Sequence, residues 1–299
     1  MPRQTHQDMR SRAIALFDAF THVHHDRRAF MAELTALTGS AVAAQALFTA
    51  MAPSAAHAAQ IAADDPRLTA RTLARPAADG RKLNGYLVEP ARAKGRRGVV
   101  LVVHENRGLN DHIRDVARRL ALAGYIAFAP DFLTVAGGTP GNEDQAREMI
   151  GKLDLPGAIA DGAAVIRGFC SFAGANGRVG VVGFCWGGAM VNRLAVAAGS
   201  DLAAGSAFYG PAPDPSLAAR VKAHLQLHYA GNDPRVNTTA DAWMAALKAA
   251  AVDVERFDYP GTEHAFHNDT AVARYQEAAA KLAWQRTLDF FARTLGSKA

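Results

Sequence analysis

Residues 183–188 constrain this chain most, because they place a cysteine between glycines directly after an apolar run. Residues 178–182 read Arg-Val-Gly-Val-Val, which is typical of a buried strand, and residues 189–194 read Ala-Met-Val-Asn-Arg-Leu, which is typical of a helix. A strand that turns at once into a helix leaves little room, so Gly183 and Gly187 let the two backbones approach each other. The turn presents the Cys185 thiol at a helix N-terminus, where the positive end of the dipole favours a thiolate.

This strand, turn and helix resemble the nucleophile elbow of the α/β-hydrolase fold, with sulfur in place of the usual serine oxygen. From about Leu83 onward the chain alternates apolar runs with helix-like periodicity. The alternation predicts an α/β domain with a mostly parallel sheet flanked by helices. The predicted strands are 83–88, 98–103, 126–129, 179–184, 204–209, 225–230 and 254–259, and the predicted helices are 113–123, 143–150, 158–172, 187–198, 238–250 and 271–295.

The length of 299 residues suits one catalytic domain, placed at residues 65–299, and an N-terminal segment of residues 1–64. The net charge is +5, but the basic residues are scattered and not interleaved with aromatic ones, which argues against a nucleic-acid partner. Of the two cysteines, Cys170 lies in an apolar helical run and is expected to be a small buried side chain. The chain has no Cys/His array with zinc spacing, so no metal and no cofactor are predicted.

Two interpretations of residues 1–64 compete. Arg27 and Arg28 resemble a twin-arginine export signal, and residues 56–58 read Ala-His-Ala, like a signal cleavage site. Residues 34–63 carry no charged residue, yet they are too weakly apolar to form a stable membrane span. Export would make the protein periplasmic, whereas the alternative interpretation, which is favoured, keeps it cytoplasmic.

In that alternative the segment is a retained helical appendage. Apolar residues recur at helical spacing on two faces, and Asp26 and Ser40 are suitable N-caps. The two faces comprise Met9, Ala13, Leu16, Phe17 and Phe20, and Phe30, Met31, Leu34 and Leu37. A short histidine cluster at residues 22, 24 and 25 is expected to face solvent.

A hydrolase of this fold carries its nucleophile, acid and histidine in that chain order, each after a strand. Asp233 follows the predicted strand 225–230, and His264 follows the predicted strand 254–259. We therefore expect Asp233 to orient His264, and His264 to activate the Cys185 thiol. His228 and His267 are competing histidines, but one lies within a strand and the other lies three residues past His264.

Residues 102–110 form the loop that supplies one oxyanion-hole amide in this fold. The backbone amides of Asn106 and Trp186 are the candidates for that hole. Glu105 is an unusual acid for this position, and we expect it either to accept a hydrogen bond from the resting thiol or to take its proton.

These four motifs, in this order, resemble the dienelactone hydrolase (carboxymethylenebutenolidase) family over roughly residues 83–295. The resemblance implies a triad of Cys185, His264 and Asp233, with Glu105 holding the resting thiol. It also implies hydrolysis of a lactone or ester through an acyl-enzyme thioester. In the type enzyme two arginines grip the substrate carboxylate, but here the corresponding loop at residues 132–139 has no arginine and the second position is Asn268.

The missing arginines predict a neutral ester or lactone, aromatic ones included, as the small-molecule substrate. Arg107 and Arg235 are possible replacements, and the candidate pocket walls are Phe132, Leu133, Trp186, Tyr209 and Phe266. Alternatives are a promiscuous aryl-esterase or phosphotriesterase and, from a different class, a binding module without catalysis. A monomer and a homodimer are both compatible with the sequence.

Overall fold

The computed structural model describes residues 2–24, 26–51, 60–92 and 95–296. Its centre is a single sheet of eight strands. In chain order the strands are β1 (Leu68–Pro76), β2 (Lys82–Pro90), β3 (Arg97–Val103), β4 (Ile126–Pro130), β5 (Ala175–Phe184), β6 (Ala204–Phe208), β7 (His224–Ala230) and β8 (Val254–Tyr259).

The strand order is β1-β2-β4-β3-β5-β6-β7-β8. The β1/β2 and β2/β4 pairs are antiparallel, and the five remaining pairs are parallel, which confirms the predicted α/β-hydrolase architecture. All seven predicted strands are present. The eighth, β1, was missed because it is an edge strand with mostly exposed residues, including Arg71 and Thr72, and shows no apolar run.

In the described residues from 95 onward six α-helices follow β3, and five of them pack on the two faces of the sheet. Neighbouring residues of β3 enter opposite layers: Leu101 belongs to one buried apolar cluster, together with Met190, whereas Val100 belongs to a second cluster, together with Phe291. A strand buried on both faces reads as continuously apolar, which is why β3 was predictable. The helices are α4 (Asp111–Leu122), α5 (Glu143–Gly151), α6 (Leu155–Cys170), α7 (Trp186–Ala197), α8 (Pro234–Ala249) and α9 (Glu277–Leu295).

Two helix starts differ from the prediction because local capping sets them. Helix α8 begins at Pro234 rather than at residue 238, since the Asp233 side chain accepts the backbone N–H of Val236. Helix α9 begins at Glu277 rather than at residue 271, since Gln276 caps it and residues 268–274 form turns.

The N-terminal residues form helices α1 (Pro2–Ala19), α2 (Arg27–Thr38) and α3 (Ala41–Met51), with a short π-helical segment, Phe20–His24, after α1. Asp26 and Ser40 cap α2 and α3 as predicted. The three helices share an apolar core of their own, which also contacts Ala273 of the catalytic domain. That core contains Ala13, Ile14, Phe17, Phe20, Phe30, Leu34, Ala44 and Met51.

No single helix in the described ranges is long and apolar enough to cross a membrane. Helices α2 and α3 pass that test only as a pair, and they are bent by 113° relative to each other. Arg27 forms a surface ion pair with Asp144 of α5, at 2.7 Å. The cleavage-like residues 56–58 lie outside the described residues.

Candidate active site

The elbow at Cys185 has the strained geometry that its sequence predicts. Cys185 links the end of β5 to the start of α7 with a φ of 56°, in the left-handed region that a non-glycine residue rarely adopts. A Cβ on Gly183 would overlap the carbonyl oxygen of Gly187, and one on Gly187 would overlap that of Val103. The two glycines therefore allow β5, α7 and β3 to converge beneath the thiol.

The structure brings Asp233 and His264 together beside this elbow. Asp233 follows β7, and its Oδ2 atom lies 2.5 Å from Nδ1 of His264, which follows β8. Both side chains are almost fully buried, at 2% and 3% exposure. The Nε2 atom of His264 has no hydrogen-bond partner among the described residues, and it lies within 4.8 Å of Sγ of Cys185. An imidazole held in this way by a carboxylate presents its free nitrogen to the thiol.

A second histidine, from the N-terminal segment, also reaches the thiol. The Nε2 atom of His22 lies 3.0 Å from Sγ of Cys185, and the rings of His22 and His264 stand edge to face. The expectation that His22 faces solvent is therefore wrong, although nothing local in the sequence signals its position. His25 and the side chain of His24 lie outside the described part of the chain.

Asp18 on α1 fixes His22 in this position. Its Oδ1 atom lies 3.0 Å from Nδ1 of His22, and Arg235 at the start of α8 donates to both carboxylate oxygens of Asp18, at 2.8 and 3.4 Å. These charged contacts lower the pKa of Asp18 even though burial opposes ionisation. Arg235, predicted as a possible substrate contact, instead ties α1 to the catalytic domain.

The electrostatics of the cluster favour an ionised thiol. Burial alone would raise the pKa of Cys185, but the charges of His22 and His264 and their hydrogen bonds lower it to about 6. Burial likewise opposes protonation of His264, yet the Asp233 and Asp18 carboxylates and the thiolate raise its pKa well above the usual range. At neutral pH the site therefore holds a thiolate beside an imidazolium.

Glu105 lies in the same small cavity as Cys185 but is not bonded to the thiol. Its Oε2 atom accepts a hydrogen bond from Nδ2 of Asn268 at 2.8 Å, and both side chains are buried. The expectation from the sequence was that Glu105 would bond to the resting thiol. Within the described structure His22 makes that hydrogen bond to Sγ instead. Asn268 occupies the position of the second carboxylate-binding arginine of the type enzyme. In this structure its side chain holds Glu105 in place.

The candidate oxyanion-hole amides lie on two sides of the thiol. Asn106 is on the loop after β3, which lines the cavity with Cys185, and Trp186 is the first residue of α7. Neither backbone amide donates a hydrogen bond to any described residue. Both are therefore available to an oxyanion. The side-chain amide of Asn106 donates to the carbonyl of Thr21, so the N-terminal segment also contacts this loop.

The cavity at the thiol is nearly closed, with a volume of about 10 Å³. Arg107 lines it as predicted, but its guanidinium is paired with Glu143. Arg274, which the sequence analysis missed, also lines it; this buried arginine lies over the Phe17 ring at 4.9 Å and has no ion-pair partner among the described residues.

A wider groove of about 490 Å³ runs between α1 and the loops carrying Asp233 and His264.

The predicted aromatic wall lies mostly behind the site. Phe132 packs against Trp186 and His104, while Tyr209 and Phe266 pack against each other, with Tyr209 edge-on to His264. These three predicted wall residues are at most 1% exposed and do not line the cavity at the thiol. These side chains pack beneath the loops of the site and expose little area to a substrate.

Comparison with known proteins identifies a family and several similar proteins. The model of the "Dienelactone hydrolase family" matches residues 83–295. A relative from Methylorubrum extorquens named "Putative carboxymethylenebutenolidase" is 33% identical over 284 residues, covering 87% of this chain and 94% of the relative. A crystal structure titled "Putative Dienelactone Hydrolase" from Klebsiella pneumoniae is 29% identical, with a TM-score of 0.68, over 76% of this chain and 99% of that one. A dienelactone hydrolase-like promiscuous phosphotriesterase from metagenomic libraries is 25% identical, with a TM-score of 0.67, over 77% and 99% of the two chains.

Proposed function

This chain belongs to the dienelactone hydrolase family and is a carboxylic ester or lactone hydrolase, and we propose that it acts through Cys185 by way of an acyl-enzyme thioester. The observation that carries the proposal is the position of Cys185 at a strained elbow, with the His264–Asp233 pair beside it. A side chain in that backbone conformation costs free energy that a purely structural cysteine would not justify.

In the acylation step the Cys185 thiolate attacks the substrate carbonyl carbon. The carbonyl π electrons move to oxygen, and the backbone amides of Asn106 and Trp186 stabilise the oxyanion. When the tetrahedral intermediate collapses, the carbon–oxygen ester bond breaks and the imidazolium of His264 donates its proton to the leaving alkoxide. When the substrate is a lactone, the ring opens and the released alcohol stays on the acyl chain that is bound to Cys185.

In the deacylation step His264, now neutral, accepts a proton from water while the water oxygen attacks the thioester carbon. The carbon–sulfur bond breaks, the carboxylic acid leaves, and the thiolate returns to its place beside the imidazolium. Asp233 keeps the proton of His264 on Nδ1 throughout, so that Nε2 always faces the reacting atoms.

The charges near the thiol limit the substrate class. Asn268 is bonded to Glu105, and Arg107 is paired with Glu143, so Arg274 is the one cavity-lining arginine without a carboxylate partner among the described residues. A single buried cation suits one carboxylate at most. We therefore propose neutral or singly charged esters and lactones as substrates, in preference to small dianions.

A substrate also needs more room than the closed cavity offers, since ligand pockets typically measure about 300–1,000 Å³. The residues that close the cavity from the N-terminal side are Phe17, Thr21 and His22. We propose that this segment shifts towards the wider groove between α1 and the His264 loop when substrate enters.

The decisive experiment is trapping of the acyl-enzyme. The protein is mixed with an aryl ester, quenched in acid, and analysed by peptide mass spectrometry for an acyl group on Cys185. Cys170→Ser, which removes the second thiol, is expected to retain both turnover and the adduct, whereas Cys185→Ala, which removes the nucleophile, is expected to lose both. Turnover that survives in Cys185→Ala would disprove the proposal.

The substrate panel pairs neutral, mono-carboxylated and dicarboxylated esters and lactones, together with one aryl phosphotriester. The phosphotriester is included because a structural neighbour is named for that activity. A thiolate facing an oxyanion hole can attack phosphorus as well as carbon, so slow phosphotriester turnover through the same Cys185 is a secondary expectation. A clear preference for the dicarboxylated substrates would contradict the proposed substrate class.

A further inference from the structure

Three metal-binding atoms converge where the N-terminal helices meet the catalytic domain. They are Sγ of Cys185 and the Nε2 atoms of His22 and His264, and all three lie within 4.8 Å of one another. The sulfur and the His22 nitrogen are 3.0 Å apart. In a tetrahedral zinc site, ligand bonds of 2.0–2.3 Å place the donor atoms about 3.3–3.6 Å apart. Small side-chain shifts would therefore bring these three atoms onto one ion.

Each histidine is oriented as metal-ligating histidines usually are. Nδ1 of His22 faces Asp18 at 3.0 Å, and Nδ1 of His264 faces Asp233 at 2.5 Å. A carboxylate on one ring nitrogen fixes the tautomer and makes the other nitrogen a better ligand. Both Nε2 atoms point towards the thiol as a result.

His264 supplies a second, independent indication of a ligand. Its side chain is 3% exposed, yet Nε2 has no hydrogen-bond partner among the described residues, and the carboxylate oxygen Oδ1 of Asp18 lies 4.0 Å away, too far for a hydrogen bond. An unpaired nitrogen buried from water costs free energy, which a bound group at that position would recover.

The donor set selects the kind of metal. A thiolate and two imidazoles suit Zn²⁺ and disfavour Mg²⁺ or Ca²⁺, which prefer oxygen ligands. Three protein ligands leave a fourth position open, which a water molecule can fill.

We propose that Cys185, His22 and His264 form a Zn²⁺ site that reversibly blocks the nucleophile and fastens the N-terminal helices to the catalytic domain. Because the thiol is already ionised at neutral pH, Zn²⁺ binding displaces the protons that the histidines carry on Nε2, and these protons pass to solvent. The blocking effect rests on the proposed function, because the metal would occupy the sulfur and the His264 nitrogen that ester hydrolysis uses. The binding itself rests on geometry alone.

Calorimetric titration of the chelator-treated full chain, without an affinity tag, with ZnCl₂ tests the site. The wild type is expected to bind one equivalent, with a heat that changes with buffer because protons are released. Asp18→Asn keeps all three ligands but removes the carboxylate behind His22 and its ion pair with Arg235, and it is expected to weaken binding by about 10–100-fold. His22→Ala removes a ligand and is expected to weaken binding further.

His224 provides the matched control, since it forms the same kind of pair, with Asp253 at 2.7 Å, but is half exposed and remote from the thiol. His224→Ala is expected to bind Zn²⁺ like the wild type. If His224→Ala weakens binding as much as His22→Ala does, or if the wild type binds no equivalent, the proposal is wrong. Circular dichroism of each variant checks that it is folded.

Cobalt provides a readout that does not depend on turnover. Co²⁺ bound in this site is expected to give a thiolate-to-cobalt charge-transfer band, retained in Cys170→Ser and lost in Cys185→Ser. A chain that binds Zn²⁺ but forms no acyl-enzyme would disprove the proposed function and leave the metal site standing. A chain that forms the acyl-enzyme but shows no cobalt–thiolate band would disprove the metal site and leave the proposed function standing.

Discussion

The Nε2 atom of His22 lies 3.0 Å from Sγ of Cys185, although the two residues are 163 positions apart in the chain. The contact makes the N-terminal helices part of the catalytic environment. It is held from behind by Asp18, and Asp18 in turn is held by Arg235. The reactivity of the thiol should therefore depend on residues that lie outside the region matched by the family model.

The pH dependence of thiol alkylation is the first test of this arrangement. Because the pKa of Cys185 is about 6, its labelling by iodoacetamide should be half-maximal near that pH and complete at pH 8. His22→Ala removes a hydrogen bond and a positive charge from the thiolate, so the midpoint should move to higher pH. Peptide mass spectrometry separates this site from Cys170, whose pKa is raised by burial and which should label only at higher pH.

Glu105→Gln is the comparison variant for that titration. Its carboxylate is bonded to Asn268 and not to the thiol, so the midpoint should move less than it does in His22→Ala. A larger shift in Glu105→Gln would show that Glu105, as first expected from the sequence, governs the resting thiol.

His264→Ala should lower kcat for an aryl ester by about 10²–10⁴-fold, because the proton shuttle beside the thiol is lost. The comparison variant is His267→Gln, since His267 is buried nearby against Phe184 but does not line the cavity at the thiol. Rates are measured per folded molecule. Loss of turnover in His267→Gln together with survival in His264→Ala would assign the base to His267.

Arg235→Met should loosen the N-terminal helices, because Arg235 donates two hydrogen bonds to Asp18 across the boundary. Hydrogen bonds to charged groups contribute about 1.5–3 kcal/mol, so a bulky thiol reagent at pH 8 should label Cys185 about tenfold faster or more. Arg27→Met is the matched control, since it breaks an exposed pair with Asp144 across the same boundary, which should contribute about 1 kcal/mol or less. Equal labelling rates in the two variants would show that Asp18 and Arg235 do not hold the segment closed.

Gly183→Ala should destabilise the fold by about 1–3 kcal/mol, because the new Cβ would overlap the backbone of Gly187. Gly141→Ala is the control, since its Cβ would meet open space, and its free energy of unfolding should change by less than about 0.5 kcal/mol. Urea unfolding measures both. A neutral Gly183→Ala would mean that the elbow can open at little cost.

The catalytic domain was largely predictable because its signals are local. Each buried strand is a short apolar run, and each residue of the proposed triad lies within five residues after one of these strands, at the edge where parallel sheets place their sites. The edge strand β1 escaped prediction because an exposed strand needs no apolar run. The aromatic residues Phe132, Tyr209 and Phe266 were correctly placed near the site, but local sequence could not show that their rings face the core.

The sequence by itself determined the elbow, the order of Cys185, Asp233 and His264, and the helical character of the N-terminal segment, since strand runs, caps and glycine turns are fixed by neighbouring residues. Only the tertiary structure decided that His22 meets the thiol, that Asn268 holds Glu105 and that Arg274 lines the cavity. The His22 contact depends on how the N-terminal apolar core packs onto the rest of the chain, and the contact of Asn268 with Glu105 depends on how two distant loops meet. Side chains brought together by packing leave no periodicity or spacing in the chain.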